Sequence, residues 1–133
     1  MKMTLVGMSA AALACGSVLA QGLPEVKVEA TRVVTGAISA KTMGKTASGV
    51  PVKDVTLSYG VSSEGLDLST HTGALAFEQR VKDAADQACK EISRQYPDAT
   101  PGEAECAKRA ANGAMAQLHA AVAAAEKIRT ATK

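Results

Sequence analysis

Aromatic side chains are nearly missing: Tyr59, Phe77 and Tyr96 are the three in 133 residues, and there is no tryptophan. That argues against a stacking platform for bases or sugars, and it leaves any core to small aliphatic side chains and alanine. Histidine is confined to His71 and His119, far apart in the chain and far from each cysteine. No Cys-x-x-Cys, no G-x-S-x-G turn and no glycine-rich phosphate loop after a strand occurs, so no catalytic residue and no cofactor is expected, and the chain reads as non-enzymatic. Basic residues number 15 against 13 acidic, with no basic run long enough to track a phosphate backbone, so nucleic acid is not an expected partner.

What is present begins with an export signal. Residues 1–20 carry Lys2 as a short positive region, an apolar run from Met3 to Ala14, and the small residues Val18 and Ala20 before Gln21. A short membrane or buried helix fits less well, because the downstream end is rich in Ala, Gly and Ser and has no basic flank. Cys15 raises a lipoprotein reading, but Leu13 stands one position too late for the usual acylation motif. Removal of 1–20 leaves 113 residues, no membrane-spanning segment and two cysteines, Cys89 and Cys106. An even cysteine count in an exported chain predicts a structural disulfide, favoured here over a redox-active pair or a metal site. The address is periplasmic or secreted.

The rest is organised around residues 70–128. Ala74, Leu75, Phe77, Val81, Ala85, Ala88, Cys89 and Ile92 recur at spacings of three and four, one face of a helix over about 70–96, with Thr70 as its N-cap. Gly73 weakens the first turn. Pro97 and Pro101 end it, and Thr100, Pro101 and Glu103 read as N-cap, first residue and capping-box acid of a second helix over about 101–128. Its small face runs from Cys106 through Ala110, Ala114 and Leu118 to Ile128. So short a turn makes the helices antiparallel, places both thiols ~7–9 Å from it, and lets a bridge contribute roughly 3 kcal/mol.

Upstream, residues 25–34 alternate Val26, Val28 and Ala30 with Lys27, Glu29 and Thr31, a half-buried strand. Residues 36–49 mix Gly, Ser, Thr, Lys and Ala as a flexible loop. Residues 50–59 alternate again, with a phase slip at Lys53 and Asp54 that a bulge or a late start explains. The expected fold is α+β: a short two-stranded β element before an antiparallel helical hairpin clasped by one disulfide. The alternative is a first strand that stays undocked and pairs with a second copy, making a homodimer.

The run Val55, Thr56, Leu57, Ser58, Tyr59, Gly60, then Gly65, Leu66, Asp67, Leu68, Ser69, Thr70, followed by two helices each with a cysteine, resembles the signature of the UrcA family of small exported bacterial proteins. The resemblance covers about 53–125, departs from the pattern at Gly65 and His71, and makes 50–133 the UrcA-like domain after the signal (1–20) and an N-terminal strand and loop (21–49). It implies a Gram-negative envelope and no agreed active site. The expected role is contact with another protein or an envelope component. The alternative is low-affinity metal binding or metal-stress response through surface carboxylates, with Glu64, Asp67 and His71 as candidates. For Asp67 a turn and helix-entry role is preferred, and for Asp83 and Asp86 a solvated face with Arg80, Lys82 and Lys90. A membrane-surface helix is disfavoured because the polar faces mix both signs of charge.

Overall fold

The computed structural model describes residues 23–35, 44–45 and 51–133. The expected signal segment (1–20) with Cys15, and most of the stretch expected as a loop (36–49), lie outside the described residues. Strand β1 (Glu25–Thr35) pairs antiparallel with β3 (Pro51–Ser62), from Glu25 opposite Ser62 to Thr35 opposite Val52. A two-residue strand β2 (Gly44–Lys45), inside the stretch expected as loop, pairs with the start of β3 on its other side, giving the order β1-β3-β2. The helices α1 (His71–Gln95) and α2 (Glu103–Ala131) follow. The α+β expectation therefore holds, with the first strand docked.

The alternation in β1 has a physical outcome. Val26, Val28, Ala30 and Val34 are buried beneath the helices, while their odd-numbered neighbours are exposed. Phe77, Val81, Ala85, Ala88 and Ile92 of α1 and Ala107, Ala110, Ala111, Ala114 and Leu118 of α2 complete one core. Alanine at so many contact positions lets the helices and the sheet approach closely.

Three local expectations need correction. The register of β3 against β1 runs without a bulge, and the apparent slip arises because Val52 lies opposite Thr35 on the outer face while Lys53 lies opposite Val34 on the inner one. The strand also continues through Gly60 to Ser62. Helix α2 starts at Glu103 behind Gly102, which offers no side-chain cap. The capping box does not form, because Thr100 pairs with Val33 instead: Val33 N donates to Thr100 O at 2.6 Å and Thr100 N to Val33 O at 2.9 Å, across a cis Thr100–Pro101 bond. Finally, Gly73 is a requirement. A Cβ there would lie 1.9 Å from the backbone oxygen of Asp67, so the loop before α1 can cross its first turn only where there is no side chain.

Candidate functional site

The fold has two ends of different character. At the hairpin turn, Cys89 and Cys106 are bonded, with their Cα atoms 6.0 Å apart and both residues buried. The proximity expected from their heights along the two helices is realised.

Beside them lies a residue that the sequence pattern concealed. Arg32 shares the inward parity of β1 and is 2% exposed. Its guanidinium donates to Pro101 O (2.8 Å), Cys89 O (3.3 Å), Ala99 O and the Ser93 hydroxyl oxygen, and Ser93 Oγ in turn donates to Cys89 O (3.1 Å). These four acceptors are uncharged, so carbonyl and hydroxyl dipoles near the C-terminal end of α1 solvate the cation. One side chain thereby ties β1, the last turns of α1 and the interhelical turn together. The detectable signal was parity: position 32 follows 26, 28 and 30 on the core face.

At the opposite end, the strand-to-helix connection packs against the last turns of α2. Gly65 takes a positive φ of 75°, the turn conformation that glycine adopts without penalty. Asp67 Oδ1 accepts from the Ser69 amide (3.0 Å) and hydroxyl (2.6 Å), Thr70 Oγ1 donates to Asp67 O (2.8 Å), and the Gly73 amide donates to Thr70 Oγ1 (3.0 Å). The expected N-cap and turn roles are both observed. The Ser69 hydroxyl and amide, and more weakly the charge of Arg129, hold the Asp67 carboxyl below the ordinary aspartate range.

The metal candidates are not assembled by this geometry. Glu64 and His71 are exposed, Asp67 is occupied with Ser69, and among the described residues no three His, Cys, Asp or Glu side chains converge on a point. Arg80, expected beside Asp83 and Asp86, donates instead to the backbone oxygens of Ser62 (3.0 Å) and Glu64 (2.8 Å), fixing the loop to α1. Asp83 accepts from Gln79 (2.8 Å), while Glu78 pairs with Lys82 and Glu105 with Arg109 as their spacing predicts.

Between the connection and α2 lies a groove of about 500 Å³, walled by Pro24, Leu66, Leu68, Ala121 and Ala125, with Leu23, Ile128, Asp67 and Arg129 among its other lining residues. Leu23 and Ile128, 60% and 62% exposed, are the most exposed large apolar side chains among the described residues, and both line it. Hydrophobic side chains in such a concavity mark a contact surface more often than a solvated one. No described helix is long and apolar enough to cross a membrane. Comparison of the chain with protein-family models, curated proteins and solved structures finds no match.

Proposed function

We propose that this protein is a small exported, non-enzymatic module of UrcA type that acts in the periplasm or outside the cell by binding an apolar segment of another protein or envelope component. The groove between the Gly65–Thr70 connection and the end of α2 is the contact site. The observation that carries this reading is the placement of Leu23 and Ile128, the two most exposed large apolar side chains among the described residues, at one concavity. The disulfide is compatible with an oxidising compartment.

Low-affinity metal binding has less to rest on, since Glu64, Asp67 and His71 are not drawn together and Asp67 already has donors. The test is photo-crosslinking in the native envelope fraction from a reactive group placed at Ile128, with an identical group at Asp98 as control. A single adduct of defined mass from Ile128, lost on Ala125→Asp, is the expected result. Equal labelling from both positions, or none from either, contradicts it. Intact mass of the recovered protein checks the address: it should begin at Gln21 and gain two daltons on reduction.

A further inference from the structure

Two neighbouring residues of β1 hold three consecutive residues of the interhelical turn. The buried Arg32 side chain donates to Ala99 O and Pro101 O, and the Val33 backbone exchanges two hydrogen bonds with Thr100. The same guanidinium reaches back to α1, where it donates to Cys89 O and to the hydroxyl of Ser93. Arg32 therefore joins the residue that carries one half of the disulfide to the turn that leads to the other half. Cys89 is 0% exposed and Cys106 2%, so neither sulfur presents a face to an attacking thiolate while the turn is in place.

We infer that Arg32 is the latch of this disulfide: an external dithiol reduces the clasp through a local opening in which residues 99–101 leave β1 while the sheet and the far ends of both helices stay folded. In the opened form a thiolate of the dithiol bonds to one cysteine sulfur as the Cys89–Cys106 bond breaks, and the other cysteine leaves as a thiolate that takes a proton from water. The second thiol of the reagent then displaces the first cysteine. The clasp has gained two electrons and two protons, and the dithiol has become a disulfide. Local opening costs less than global unfolding because it gives up the contacts of the turn and keeps the packing of Phe77, Val81, Ala85 and Ala114 with β1. What it does give up is the solvation of a buried cation, since Arg32 loses two of its four acceptors and Ala99 O and Pro101 O lose their donor. The guanidinium thus sets how often the turn opens, and with it the rate of reduction.

The test follows the rate at which excess dithiothreitol reduces the full oxidised chain without denaturant, alongside native-state exchange of single amides. Arg32→Lys keeps the cation but has fewer donors for those oxygens, and Gly73→Ala strains the other end of the fold. Arg32→Lys should speed reduction roughly 10- to 100-fold, the worth of about one hydrogen bond to a charged group. It should raise exchange of the Val33 and Thr100 amides, which report the same opening, by the same factor. Gly73→Ala should change neither rate by more than about twofold, because that end takes no part in the opening. If the lysine variant does not fold, Ser93→Ala, which removes one acceptor of the guanidinium, takes its place, with a smaller increase expected in the same two rates. Acceleration by the turn variant and Gly73→Ala alike, in proportion to their losses of stability, would make global unfolding the route and overturns the inference. So does reduction that neither variant alters, which would mean direct attack on the folded chain, or faster reduction with the Val33 and Thr100 amides unmoved.

Discussion

The two ends of the hairpin differ in what holds them. At the turn, a covalent bond, a buried guanidinium and a two-way backbone bridge from Val33 converge on 99–106, linking residues from opposite ends of the chain. At the other end, α2 runs past the core: Ala121 and Val122 are half-buried and every residue from Glu126 onward is exposed. The ties are concentrated at the turn, and the exposed apolar side chains Leu23 and Ile128 lie at the end that has none of them. Small domains have little core energy to spare, so fixing one end allows the other to keep apolar side chains in solvent.

The sharpest way to break this comparison is at Arg32. Arg32→Ala leaves the carbonyls of Cys89, Ala99 and Pro101 without their donor and opens a void, and should cost about 3–5 kcal/mol in denaturant unfolding. A cost below about 1 kcal/mol would mean that water replaces the guanidinium and that the tie is weaker than its geometry suggests. Removing the clasp by Cys89→Ala with Cys106→Ala should cost about 3 kcal/mol for a 17-residue separation. Because Arg32 donates to Cys89 O, the two losses should not add, and a double-mutant cycle measures the coupling.

Gly73→Ala follows, at roughly 2 kcal/mol, since a Cβ 1.9 Å from Asp67 O forces the connection away from α1. Ile128→Asp at the open end should change stability by no more than about 0.5 kcal/mol in the same assay; a large loss would make the groove part of the core.

The smallest effect is a titration. Asp67 is held below its ordinary value in the folded chain, so its contribution is fully present at neutral pH, above the unfolded value, and is lost as pH falls through the folded one. Ser69→Ala removes the hydroxyl donor, which lowers it most, and should raise the Asp67 carboxyl toward the ordinary range in a carbon-13 titration. An unmoved titration would assign the shift to the Ser69 amide and Arg129.

The sequence was legible where structure is local. Both helices follow from apolar spacings of three and four, and the clasp from two cysteines placed at matching distances from a short turn. Thr70 and Asp67 play the parts that their residue types predict. What it concealed was set by distant partners. The start of α2 looked complete from Thr100, Pro101 and Glu103, yet Thr100 is claimed by Val33, 67 positions earlier. Arg32 lay unremarked in the strand expected over 25–34, because three of its four acceptors are backbone oxygens that no residue type announces. The groove likewise joins residues 23–24, 63–69 and 121–129, which only the folded sheet brings together.

The most direct test of a tied end opposite an open one is limited proteolysis of the folded protein with a Lys/Arg-specific protease, following masses with time and after reduction. Lys127 and Arg129 stand at the open end, Arg94 and Lys108 at the tied end, and all four are exposed, so accessibility alone does not separate them. Cleavage at Lys127 and Arg129 well before any at Arg94 or Lys108 is the predicted result. Cleavage at Arg94 or Lys108 first, with the disulfide intact, would contradict the account.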